Sequence, residues 1–218
     1  MSEPLQLVIF DVDGTLSEAD DYLSDEFTRH LRFLPEKAAE TVGRNLAMAG
    51  ETVVHTGAYL ADLIEMDRLF HRLHEKVSVG ENYRYQPVQG MQETLEELSK
   101  DLKLAVITTG GSGSTRAFLK KFHLEGLFSV VISGEDCHHI KPSPEPIRCV
   151  LEKSGTPAAN SLMVGDTIFD ILSAHRAGVR CAAVKTGFDH EWLLRLFRAD
   201  YILESVRDLP DLIDRISD

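Results

Sequence analysis

Cysteine is scarce in this chain. The 218 residues hold three, Cys137, Cys149 and Cys181, an odd number with no C-x-x-C pair. That excludes a disulfide framework and the common zinc and dithiol motifs, and it predicts reduced thiols. No apolar run approaches the roughly 20 residues that cross a bilayer, and Met1-Ser2-Glu3-Pro4 lacks the basic and apolar regions of a signal peptide, so a cytoplasmic protein with no membrane partner is expected. Basic residues are the minority, 23 Lys and Arg against 35 Asp and Glu. The resulting net charge of −12 argues against a nucleic-acid partner, whose binding relies on clustered cations. Nine histidines show no metal-site spacing, and there is no internal repeat.

What is present is a chain long enough, at 43% hydrophobic residues, for one sizeable core and a smaller appendage. The run Leu5 to Phe10 lacks alternation and reads as a parallel strand covered on both faces. Asp11-Val12-Asp13-Gly14-Thr15 follows it directly. Ligands in parallel sheets bind outside the carboxyl ends of strands, so two carboxylates stand where such enzymes keep their chemistry.

From about Pro87 helical and strand patterns alternate. Helices are predicted over 91–100, 114–123, 144–154, 168–177 and 206–216, and strands over 103–109, 128–133, 161–165, 179–184 and 201–203. This alternation predicts an α/β fold, a doubly wound parallel sheet with right-handed crossovers. Between the first strand and this region, apolar residues such as Leu60, Leu63, Ile64, Leu69 and Leu73 recur at helical spacing. The expected organisation is a discontinuous core, residues 1–17 and 84–218, interrupted by an all-helical cap over 18–83.

Three further polar signals fall at predicted strand ends: Thr108-Thr109-Gly110-Gly111, Lys141-Pro142 and Gly165-Asp166. Together with the first they read DVDGTL (11–16), VITTG (106–110), KPSPEP (141–146) and GDTIFD (165–170). On these four ordered motifs the chain resembles the haloacid dehalogenase superfamily, in its branch of phosphoglycolate-phosphatase-like and β-phosphoglucomutase-like proteins with a helical cap after the first strand. The Gly110-Gly111-Ser112-Gly113-Ser114 run fits no nucleotide-binding loop and is read as a strand-to-helix turn.

The resemblance implies a Mg²⁺-dependent phosphatase acting on a small phosphate ester through a phospho-Asp11 intermediate. Asp11 matches the nucleophile and Asp13 the general acid and base that serves the leaving alcohol and then water. Dehalogenases and phosphonate-cleaving relatives lack an acid at the Asp13 position, so phosphoryl chemistry is favoured. Lys141 matches the cation that offsets charge on Asp11 and phosphate. Thr108, Thr109 and Gly110 would bind the phosphoryl oxygens. Mg²⁺ would be held by Asp11, the backbone carbonyl of Asp13 and Asp166, with Asp170 as a direct ligand or just behind one. Asp166 and Asp170, four apart at a helix start, are expected on one face. In the cap, Gly43-Arg44 resembles a substrate-facing loop, and Arg44 could pair with a substrate carboxylate or second phosphate. His138 and His139 are expected to serve an ordinary loop. A phosphomutase shares every core motif, and a non-catalytic binding protein on this fold would be expected to lose Asp11, Asp13, Lys141 or Asp166, none of which is lost here. Oligomeric state does not follow from the sequence.

Overall fold

The computed structural model describes residues 4–18 and 85–217. Six strands and six α-helices lie among them. They are β1 (Leu7–Phe10), α1 (Met91–Leu98), β2 (Lys103–Ile107), α2 (Ser112–Lys121), β3 (Phe128–Ile132), α3 (Glu145–Ser154), β4 (Ser161–Gly165), α4 (Ile168–Ala177), β5 (Arg180–Val184), α5 (Glu191–Leu196), β6 (Tyr201–Leu203) and α6 (Leu209–Ser217). The strands form one sheet, wholly parallel, in the order β3-β2-β1-β4-β5-β6. This is the doubly wound α/β arrangement expected from the sequence. The predicted cap, Arg44 included, lies outside the described residues apart from Glu18.

β1 sits at the centre because all four of its residues are buried and each face meets a different helical layer. Val8 and Phe10 join Met91, Leu95, Phe118, Leu209 and Leu212 on one side. Leu7 and Ile9 join Ile147, Val150, Ile171, Ala174 and Leu194 on the other. A strand apolar on both faces can only be satisfied this way, and the sequence lacked alternation for that reason. β3, at the sheet edge, does alternate: Phe128, Val130 and Ile132 are buried while Ser129 and Val131 are exposed.

The strand order reverses at β1. The chain goes from β1 outward through β2 to β3 and then returns to β4 on the other side, creating a crevice at the strands' carboxyl ends. Register joins the two sides directly, with Phe10 opposite Val164 and the Asp11 amide donating to the Val164 carbonyl at 2.9 Å. The loops after β1 and β4 are therefore neighbours.

Several boundaries differ from expectation, each for a local reason. β2 stops at Ile107, not Thr109, because the Gly110 amide folds back onto Thr108 Oγ1. The predicted closing helix splits into a short 3₁₀ turn, Val206–Asp208, capped by Ser205, and then α6, whose Pro210 lies in the first turn where a missing N–H costs nothing. α5 was not expected; it is only six residues long. Among the described residues no helix is long and apolar enough to cross a membrane.

Phe10 is fully buried and meets the Phe128 ring edge-on at 6.3 Å between centroids. Phe10→Ala is expected to lower the unfolding free energy by about 3–5 kcal/mol, measured by urea denaturation. A loss below about 1 kcal/mol would place this strand outside the core.

Candidate active site

Asp11 and Asp13 lie beyond the end of β1, so strand geometry does not align them. Instead the chain winds into a tight turn on one carbonyl: the amides of Thr15, Leu16 and Ser17 all donate to Val12 O, at 3.3, 2.9 and 2.9 Å. Val12 enters the core while Asp11 is turned to the crevice and buried. Gly14 takes φ of +81°, a conformation that suits glycine.

Lys141 reaches this turn from the loop between β3 and α3. Its Nζ lies 2.8 Å from Asp11 Oδ1 and 2.7 Å from Asp170 Oδ1, and the lysine is only 5% exposed. Asp170 itself is enclosed. Its Oδ2 accepts from the Thr167 amide at 3.0 Å and the Thr167 hydroxyl at 2.7 Å, completing a capping box at the start of α4. One carboxylate oxygen thus secures the helix and the other holds the lysine.

Asp166 precedes Thr167, the N-cap of α4, so it is not part of that helix and the expected i,i+4 relation does not hold. The two acids meet instead because the capping box turns Asp170 back toward the strand end. Asp166 is fully buried. Thr15 Oγ1 donates to its Oδ1 at 3.0 Å and the Phe188 amide to its Oδ2 at 2.8 Å. Two glycines leave room for it: a Cβ on Gly14 or Gly187 would stand 2.2 or 1.9 Å from Asp166 Oδ2.

Asp11, Asp166 and Asp170 each offer an oxygen within 4.8 Å of the others. Three carboxylates against one ammonium leave two buried negative charges, which is costly unless a further cation compensates. Burial raises the Asp11 pKa; Lys141 opposes, Asp170 and Asp13 reinforce, and the result is about 7. Asp166 is pushed well upward by burial and then by Asp170 and Asp11. Burial acts to lower the Lys141 pKa, but Asp11 and Asp170 outweigh it and hold the ammonium above its ordinary range. The imbalance equals the charge of one divalent ion, and an all-oxygen donor set suits a hard cation, so these residues fit a metal centre.

Beside the lysine is a small pocket lined in part by Thr108, Thr109, Ser133, Gly134, Cys137 and Lys141. The Gly110 amide donates to Thr108 Oγ1 at 2.9 Å, so it is engaged within the loop, unlike the expectation that it faces substrate. Thr108 is buried at the pocket wall. Gly134 allows the neighbouring loop to press close, since a Cβ there would lie 2.6 Å from Thr109 O. Asp13 is half-buried. The amides of His138 and His139 donate to the two Glu145 oxygens at 2.9 and 3.0 Å, in keeping with a loop role. The three cysteines are free, with Cys137 Sγ 3.8 Å from Cys149 Sγ.

Sequence reasoning missed the loop after β5. Thr186 Oγ1 donates to Gly14 O at 2.7 Å, Phe188 N to Asp166, and Asp189 Oδ2 accepts from Ile168 N at 2.7 Å. Thr186-Gly187-Phe188-Asp189 is a further polar and glycine cluster at a strand's carboxyl end, the signal that found the other four.

The family model for haloacid dehalogenase-like hydrolases matches residues 8–184. A protein named pyrophosphatase PpaX from Bacillus cereus is 30% identical over 217 residues, covering 96% of each chain. Its namesake from Halalkalibacterium halodurans is 29% identical over 216 residues, covering 96% of this chain and 97% of that one. A solved hydrolase from Pseudomonas syringae superposes with a TM-score of 0.71 at 24% identity, covering 98% of this chain and 100% of the other.

Two outcomes test the charge arrangement. Gly187→Ala drives a methyl group into Asp166 and is expected to weaken Mg²⁺ binding at least about 10-fold by calorimetry, whereas Gly113→Ala, with nothing within 4 Å of the new Cβ, leaves it unchanged. Asp11 titrates near 7 in the fold against about 3.9 unfolded, so its protonation stabilises the metal-free protein at low pH and that contribution disappears as pH rises through 7. Mg²⁺ competes with those protons. The rise in Tm caused by Mg²⁺ is therefore expected to grow between pH 5.5 and 8, and a pH-independent rise would contradict the assignment.

Proposed function

The chain belongs to the haloacid dehalogenase-like hydrolases, and on that premise we propose that it is a Mg²⁺-dependent phosphatase that hydrolyses a small phosphorylated metabolite through phospho-Asp11. The observation that carries the reading is Lys141 between Asp11 and Asp170, beside a buried carboxylate surplus. The core is residues 1–17 and 84–218, with the segment 18–83 inserted as a cap that selects the leaving group.

The chemical obstacle is like charge. A carboxylate facing a phosphate dianion at about 4 Å meets roughly 8 kcal/mol of repulsion at an effective dielectric near 20. Lys141 lies against the Asp11 carboxylate and offsets part of it. Asp11, the Asp13 carbonyl and Asp166 would hold Mg²⁺, with Asp170 securing the lysine behind them; Mg²⁺, when bound, supplies the remaining positive charge beside Asp11 and phosphate.

In the first step an Asp11 oxygen bonds to phosphorus as the ester P–O bond breaks, and Asp13 donates a proton to the departing oxygen. In the second, Asp13 takes a proton from water, whose oxygen bonds to phosphorus as the Asp11–phosphorus bond breaks. The Thr108 hydroxyl, its oxygen already accepting from Gly110, directs its own hydrogen outward to a phosphoryl oxygen, and the Thr109 amide is a second donor. Arg44 of the cap would pair with a substrate carboxylate or second phosphate.

A second reading, pyrophosphate as substrate, is supported by the two relatives named pyrophosphatase. A panel of phosphorylated metabolites that includes pyrophosphate, assayed with Mg²⁺ and with EDTA, decides between them. Activity is expected to vanish in EDTA and to fall at least about 10⁴-fold in Asp11→Asn, with Asp13→Asn also severely impaired. Full turnover by Asp11→Asn would remove the proposed nucleophile, and inactivity across the whole panel would favour a binding protein.

A further inference from the structure

We infer that Ser173 and Arg176 are positioning residues for Lys141, acting through the turn that carries it. The inference rests on the role proposed for Lys141 above.

α4 presents three polar side chains at steps of three residues, and all three engage the same segment of the neighbouring loop. Asp170 Oδ1 accepts from Lys141 Nζ at 2.7 Å. Ser173 Oγ donates to the Ser143 carbonyl at 2.7 Å. Arg176 Nη1 donates to the Pro142 carbonyl at 2.9 Å. Residues three apart on a helix lie on adjacent turns of one side, so the helix docks the Lys141-Pro142-Ser143 segment at three points about one turn apart.

The need for such docking follows from lysine's own properties. Its ammonium is a point charge on a flexible four-carbon stem, and its tip is fixed only as well as its backbone is. Asp11 and Asp170 hold the tip, at 2.8 and 2.7 Å. Ser173 and Arg176 hold the base through the two carbonyls that follow it. Proline at 142 has no N–H, so this part of the loop has one backbone donor fewer with which to anchor itself, and its carbonyls are anchored from outside. Ser173 is fully buried, and the Arg176 carbonyl in turn accepts from Arg148 Nη2 at 3.3 Å, tying α3 to the same corner. The helix that places Asp170 through its capping box therefore also sets the lysine's backbone, so that carboxylate and ammonium move as one unit.

Ser173→Ala, Arg176→Ala and the double variant test this, assayed on p-nitrophenyl phosphate with saturating Mg²⁺, alongside Arg176→Lys and Lys141→Ala. A misplaced charge near the chemistry should show in kcat. The double variant is expected to lose roughly 10- to 100-fold in kcat with KM within about threefold of wild type, at temperatures where thermal melting shows it fully folded. Arg176→Lys, which keeps a cationic donor, should recover most of the loss of Arg176→Ala. Ser173→Ala removes one hydroxyl from a packed site, and its own fall in kcat reads the effect should Arg176→Ala be poorly folded. If Lys141→Ala collapses turnover while the double variant keeps kcat within twofold of wild type, the positioning role is overturned. It is overturned equally if the losses appear only in KM, or if Arg176→Lys is as impaired as Arg176→Ala. Full activity in Lys141→Ala would instead remove the role of the lysine on which the inference stands.

Discussion

One buried ammonium between two carboxylates governs this structure. Lys141 contacts Asp11 and Asp170, on elements separated by more than 150 residues of sequence, inside a site that contains a third acid it does not neutralise. Dehydrating an ion pair so enclosed costs as much as or more than its mutual attraction returns, so it is weak evidence of a stabilising device. The enclosure has a different consequence. Burial first, and the neighbouring carboxylates after it, raise the Asp11 pKa to about 7 and push Asp166 well above its ordinary range, and the surplus of carboxylate suits a divalent cation. A cation held against a buried carboxylate is the arrangement that the proposed attack of Asp11 on a phosphate ester would need.

The sheet supplies the convergence. Because strand order reverses at β1, the loops after β1 and β4 lie side by side, and the loop after β2 lies on β1's other flank. Distance along the chain is irrelevant to this geometry. Even the loop after β5 joins in, its backbone amide and glycine enclosing Asp166. Asp166 and Asp170 are also held by groups outside the proposed chemistry: Thr15 and Phe188 N for Asp166, Thr167 for Asp170. Small changes in these supports should alter metal affinity and turnover before they alter the fold.

Much of this was legible in the amino-acid order, and the limits have physical causes. Three of the four motifs stand at strand ends, where apolar periodicity stops and Asp, Gly or Thr begins, and the fourth, with Lys141, lies in the loop between β3 and α3, so the acids and the lysine stood out in the sequence, as did the parallel sheet from unalternating apolar runs. What periodicity does not encode is how a loop closes. The expected pairing of Asp166 with Asp170 on a helix face gave way to a capping box that lets Thr167 begin the helix and brings the two acids together by a turn. Gly110 was expected among the phosphate donors, yet its amide is used by Thr108. Gly187 carried no reading at all, because the need for a glycine arises only when a residue 21 positions away occupies the space of its missing side chain. Close approaches of this kind are properties of packing, not of local sequence.

The most direct test of the central claim is to quench the wild-type enzyme in acid during turnover and locate the phosphoryl group by peptide mass spectrometry. Phosphorylation is expected on Asp11, dependent on Mg²⁺ and much reduced in Lys141→Ala. A turning-over enzyme whose label resides on another residue, or on none when Asp13→Asn is given p-nitrophenyl phosphate, whose leaving group needs no acid in the first step, would contradict it.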